Sequence, residues 1–158
     1  MLSNVESIDI AAQLRAAERG AAAPYISYPP SPWWYAPAVG AWAAAFVGSF
    51  IWWRVNGAMF AASLAILIAL EAGFVQWMRR RHGALPMPGR CSPPSEIAAV
   101  WRGYGVGVLI IAIIIALAWW LGGIAIAAPA AFVSVTLGVI WYERSYARAA
   151  QQVRERLP

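Results

Sequence analysis

Followed position by position, the chain is built of long apolar runs separated by short polar ones, without the regular alternation of a half-buried strand. A helix needs about 20 mostly apolar residues to cross roughly 30 Å of hydrocarbon. Four runs approach that length, at about residues 36–53, 58–78, 104–121 and 124–142. Arg54-Val55-Asn56-Gly57 joins the first pair and Gly122-Gly123 the second. Both joints are expected to be tight helical hairpins in which Asn-Gly or Gly-Gly supplies a left-handed turn. Between the pairs lies a polar segment of about 25 residues, 79–103, interrupted by Pro86, Pro88, Pro93 and Pro94. The expected fold class is all-α: a polytopic membrane protein with four transmembrane helices arranged as two hairpins.

The flanks divide the chain into a lead-in (1–32), a membrane domain (33–143) and a basic tail (144–158). Ser3-x-x-Glu6 predicts a capping box that opens a short helix to about Arg19. Its apolar positions form no single stripe, because Val5, Ile8 and Ala12 lie opposite Ile10, Leu14 and Ala17. A membrane-surface anchor, a partner-docked helix and a solvated helix are all compatible with that pattern. The lead-in lacks the basic and apolar regions of a secretory signal, so it is expected to be retained. The prolines from Pro24 to Pro37 predict extended, polyproline-like chain. That strip either docks on an aromatic groove of a partner or is a stiff lead-in whose Trp33-Trp34-Tyr35 anchors the first span at the headgroups. Beyond Tyr142 the last helix is expected to run on toward Arg156.

Composition narrows the function. With 61% hydrophobic and 12% charged residues and a mean hydropathy of +0.58, a water-soluble enzyme of 158 residues is excluded, since a small globule must cover itself with polar groups. One His, one Cys and seven carboxylates supply little for catalysis, and too few ligands for haem, an iron–sulfur cluster or zinc. No catalytic, cofactor-binding or metal-binding residue is therefore expected. His82 and Cys91, both in the central polar segment, read as incidental, the cysteine having no second cysteine to pair with.

All twelve basic residues are arginines, and their placement sets orientation, because cytoplasmic flanks carry the basic excess. Arg15 and Arg19 precede the first span, Arg79, Arg80, Arg81, Arg90 and Arg102 lie in the central segment, and Arg144, Arg148, Arg154 and Arg156 follow the last span. Only Arg54 falls on the opposite side, so both termini are expected in the cytoplasm. The basic side chains can meet anionic lipid at about 1 kcal/mol each when close to the surface. They flank spans instead of forming a separate folded basic face, so nucleic acid is not an expected partner. Tryptophans concentrate at membrane boundaries. Trp33, Trp34, Trp77, Trp101 and Trp141 are expected at the inner boundary and Trp52, Trp53, Trp119 and Trp120 at the outer one, with Trp42 alone at mid-membrane.

Small residues at four-residue spacing mark close helix approaches in lipid: Gly40, Ala44 and Gly48; Gly103 and Gly107; Ala130, Ser134 and Gly138. Pro129 is expected to kink the fourth span. The one ionisable side chain within a span is Glu71. A charge at mid-membrane costs roughly 2.5 to 3.5 kcal/mol on insertion scales, so Glu71 must be either protonated or paired. It shares a helical face with Phe60, Leu64, Leu67, Ile68, Phe74, Val75 and Met78, opposite Ala58, Ala62, Ala65, Ala69, Ala72, Gly73 and Gln76. If the alanine face makes the close contact, Glu71 looks outward and a second subunit covers it. Otherwise it meets a donor such as Tyr104, Ser134 or Thr136.

Two functions fit. One is a non-catalytic membrane subunit or scaffold that presents its charged segments and Glu71 to a protein partner or a second copy. The other is a small proton-coupled transporter or exporter subunit using Glu71. Four spans with one embedded acid resemble the small multidrug resistance transporters, in which a Glu exchanges protons for lipophilic cations. That family carries its acid in the first span, whereas here the first span has none. The arrangement Pro32-Trp33-Trp34-Tyr35-x-Pro37-Ala38-x-Gly40, after a short Glu- and Arg-containing helix and before four apolar runs, resembles uncharacterised small integral membrane proteins of high-GC Gram-positive bacteria. The resemblance covers mainly residues 15–50 and implies a four-span plasma-membrane protein, with no activity attached.

Overall fold

The computed structural model describes residues 2–26, 31–82 and 93–156, and no strand occurs among them. Four α-helices and one 3-10 turn follow in order: α1 (Leu2–Ile26), α2 (Tyr35–Ser49), the turn (Phe50–Trp52), α3 (Gly57–His82) and α4 (Ser95–Arg156). Three stretches are long and apolar enough to cross a membrane by length and composition: Tyr35–Trp52, Gly57–Arg81 and Ser95–Arg156. The Ser3 and Glu6 side chains, those of Arg15 and His82, and Pro29, Pro30, Pro86, Pro88, Arg90 and Cys91 lie outside the described residues.

A straight helix of 62 residues would be about 93 Å long at 1.5 Å per residue, yet the two ends of α4 touch: Arg156 and Glu96 are 2.9 Å apart. The reversal falls at Gly122 (φ −148°) and Gly123 (φ +64°), where the backbone leaves the helical region. Gly123 has the only positive φ among the described residues, and a side chain there would be strained. Contacts on either side pair residues about equally distant from that point. Tyr104 meets Tyr142 with ring centroids 5.1 Å apart, and a methyl group added to Gly138 would lie 2.7 Å from Ile111 Cδ1. The two arms of α4, 95–121 and 124–156, therefore lie antiparallel. The second arm runs through Pro129 with helical dihedrals.

The joint between α2 and α3 is made differently from the expected left-handed turn, for neither Asn56 nor Gly57 has positive φ. The chain tightens into the 3-10 turn, Trp52 O accepts from the amides of Val55 and Asn56, and Asn56 Oδ1 accepts from Met59 N at 3.1 Å. Asn56 is the N-cap of α3, satisfying one of the orphan amides of a helix start.

α2 is the central helix. Val47 packs against Ala127 and Ala131, both fully buried, with Ile115 and Ala118 of the first arm closing the cluster. At Gly40 an added methyl would collide with Thr136 Oγ1 and sit 2.7 Å from the Phe132 carbonyl. A glycine is what permits that approach. Gly103 likewise lies under Trp141, whereas Gly48 and Gly107 have open space around them. α3 leans on α2 and the 3-10 turn.

At one end of the molecule the helices outrun the expected boundaries. α3 continues to His82 and α4 begins at Ser95, so helix takes over both ends of the segment 79–103. Residues 95–103 and 143–156 pair as a stalk, and the C-terminal end of α1 docks on it. Ala22 and Tyr25 pack with Ile97, Ala149 and Val153, of which Ile97 and Val153 are fully buried. Instead of ending near Arg19 and giving way to extended, polyproline-like chain at Pro24, α1 passes through Pro24 to Ile26. Proline within a helix removes one backbone hydrogen bond. Docking compensates: Tyr146 donates its hydroxyl proton to Tyr25 O (2.9 Å) and Arg154 Nη2 donates to Ile26 O (2.6 Å), capping carbonyls that a helix end leaves open. Further along, Pro37 occupies the first turn of α2, where a missing amide proton costs little.

Candidate functional site

The seam between α2 and α3 is where the embedded carboxylate lies. On α3, Phe60, Leu64, Leu67, Glu71, Phe74 and Met78 recur at alternating spacings of four and three, the stripe that one helix presents to another. Leu67 and Met78 are buried and Phe60, Leu64 and Phe74 half-buried, while Ala58, Ala62, Ala65, Ala69, Ala72, Gly73 and Gln76 are exposed. Of the two faces left open by the sequence, it is the bulky stripe that packs on α2, with the small residues outward. The reason is supplied by α2, whose own large rings point to α3 and fill the space that only large side chains can meet.

Those rings form two groups. Near the α2–α3 joint, Phe50 meets Phe60 (5.2 Å), Trp119 of α4 (5.6 Å) and Phe46 (5.7 Å). Toward the other end, Tyr35 stacks on Phe74 (5.8 Å, 16°), Trp34 lies 5.6 Å from Trp77, and the Arg81 guanidinium sits 5.5 Å over the Trp77 ring. Between the groups Trp42, half-buried, donates its indole proton to Leu67 O at 3.2 Å. In a regular helix that carbonyl is also the acceptor of the Glu71 amide, four residues on.

The pairings Trp42 with Leu67 and Tyr35 with Phe74 define an antiparallel register. One turn from the first and most of a turn from the second, it brings Ala38 level with Glu71. Ala38 is small and exposed, so no α2 side chain covers the acid. Glu71 occupies a seam position yet is exposed, along with Ile68 and Val75 beside it. Among the described residues it has no hydrogen bond or ion pair. The three donors expected for it all lie on α4: the Tyr104 ring packs on Tyr142, Ser134 donates to Ala130 O of its own helix (2.6 Å), and Thr136 Oγ1 is buried beside Gly40 without a hydrogen-bond partner among the described residues. Internal pairing of Glu71 with Tyr104, Ser134 or Thr136 is overturned because all three lie on α4, while α3 rests on α2.

Of the tryptophans expected at boundaries, Trp33, Trp34, Trp52, Trp53, Trp77, Trp119, Trp120 and Trp141 are exposed. Trp101 differs, being half-buried edge-to-face with Tyr25 at 6.0 Å. The basic tail is not simply free charge, since Arg154 caps α1 and Arg156 pairs with Glu96. The Glu96 carboxylate is held below its ordinary pKa by the backbone amide at the start of α4, by the Ser95 hydroxyl and by Arg156. Sequence reasoning missed the α1 dock on the stalk. Its signal in the sequence is that apolar residues, Ile97 on one side and Ala149 and Val153 on the other, recur outside the expected spans. The chain matches no family model, no curated protein and no solved structure.

Proposed function

We propose that the protein is a non-catalytic integral membrane subunit of a bacterial plasma membrane, held in one orientation and assembled with another membrane protein. In this reading the chain crosses four times, as α2, α3 and each arm of α4, with both termini and the stalk in the cytoplasm. The eleven-to-one arginine distribution supports that direction, and the two exposed tryptophan groups fit the two boundaries. Its arginines at the inner boundary, Arg79 and Arg80 among them, would contact anionic lipid.

The observation that carries the proposal is Glu71: a carboxylate within an apolar helix, exposed on the monomer and unpartnered among the described residues. Ionisable groups at membrane depth meet a partner, a water-filled cavity or one another, and rarely face lipid alone. The test is purification of the tagged protein at native abundance in mild detergent. A discrete hetero-complex of fixed stoichiometry, weakened by Glu71→Gln, is expected. A homo-oligomer that releases protons on binding a lipophilic cation, and loses this with Glu71→Gln, would replace this reading with proton-coupled transport.

A further inference from the structure

We infer that the ridge Ile68, Glu71 and Val75 of α3 receives a transmembrane helix of a different protein, one that carries a basic side chain at the depth of Glu71. This rests on the subunit reading above and adds the chemistry of the partner. The three residues are at i, i+3 and i+7, hence on one side of the helix, and all are exposed. Ile68 (64% exposed) and Val75 (42% exposed) offer apolar ground on either side of the acid, the pattern of a helix contact with one polar point at its centre.

Charge complementarity selects the occupant. In a parallel copy of this chain, the only carboxyl or guanidinium at that depth is Glu71 itself, so the two acids could meet only by one of them giving up its charge, and neither supplies a cation. The nearest arginine along α3 is Arg79, eight residues on and about 12 Å away at 1.5 Å per residue; Arg54 lies beyond the start of the helix at Gly57, itself about 21 Å back. An antiparallel copy would bring its basic ends nearer, but it conflicts with eleven arginines on one side against one. Lipid headgroups lie beyond the reach of a short glutamate. A foreign helix with Lys or Arg at this level supplies the missing countercharge, and Ala38 leaves room beside the acid for a long basic side chain.

The test uses the full chain in phosphatidylcholine nanodiscs, with a fluorophore on Cys91, its single cysteine. The probes are acceptor-labelled poly-leucine transmembrane peptides bearing one central Lys or none. The Lys peptide should bind about tenfold more tightly than the all-Leu peptide, the scale of a favourable polar contact between helices in lipid. Glu71→Leu should erase that preference. Ala38→Arg, which places a guanidinium level with Glu71 in the same chain, should erase it too while helicity and thermal unfolding stay as in the parent. Equal binding of both peptides would overturn the charge pairing and leave hetero-assembly standing. Glu71-dependent energy transfer between two copies of the chain would overturn the foreign partner. Glu71-dependent binding of tetraphenylphosphonium with no peptide preference would count against both this inference and the subunit reading.

Discussion

α2 and α3 are adjacent apolar helices of similar depth, but they are fastened in opposite ways. α2 meets α4 backbone to backbone, through Gly40 at the Phe132 carbonyl and through alanines that are fully buried against Val47. α3 is held by large rings toward its two ends and by one indole proton between them, with its small residues turned outward. A contact of the first kind has no room for change, because a carbonyl cannot move without bending its helix. A contact of the second kind leaves gaps wherever a small residue stands opposite, and Glu71 lies at such a gap beside Ala38. The difference separates a tightly packed pair, α2 and α4, from a helix on their edge whose polar residue is exposed.

The largest effect is expected at Gly40, where α2 and α4 approach most closely. Gly40→Ala should cost about 1–3 kcal/mol, the usual penalty of overpacking, because the new methyl meets a main-chain oxygen. Unfolding in detergent micelles measures it, and an unchanged midpoint would mean that α2 and α4 are not in close contact. On the other side of α2, Trp42→Phe keeps an aromatic ring but removes the donor to Leu67 O. A loss of about 0.5–1.5 kcal/mol is expected. Faster amide hydrogen exchange of Glu71 and its neighbours, with the α4 glycine turn unaffected, would localise that loss to α3.

A smaller, pH-dependent effect is expected at the stalk. Folding lowers the pKa of Glu96, so its contribution is present above the ordinary carboxylate range and fades as pH falls through the lowered value. Acid titration should therefore loosen the contact between the ends of α4, and Glu96→Gln should remove that part of the pH dependence. Arg154 on Ile26 O involves no carboxylate and should persist in acid. Smallest of all, Ala69→Leu on the outward side of α3 should change stability by no more than about 0.5 kcal/mol, as a substitution without neighbours to disturb. A large loss there would show that the alanine face is packed after all.

The helices themselves were legible from apolar run length, and the glycine pair at 122–123 marked the reversal of α4. Periodicity also placed Glu71 with Leu67, Phe74 and Met78 on one face. It could not say which face is inside, since between helices in lipid an alanine surface and a leucine surface are equally apolar. The aromatic rings of α2, which no pattern within α3 reveals, decided it. The course of α1 was hidden for a related reason: Pro24 argues locally against helix, while Tyr146 and Arg154, which hold that end in place, lie more than 120 residues away. The opening at Ala38 was equally invisible, because it depends on the register between two helices and not on either one alone.

If the chain crosses the bilayer four times with its central segment inside the cell, Glu71 lies at membrane depth. Cys91, the single cysteine, lies in that segment and reports on it directly. In intact cells a membrane-impermeant maleimide should leave Cys91 unlabelled and should label it once the membrane is permeabilised, while Asn56→Cys in a Cys91→Ser background should label in both. Ready labelling of Cys91 from outside intact cells would contradict the topology and remove the basis for the partner at Glu71.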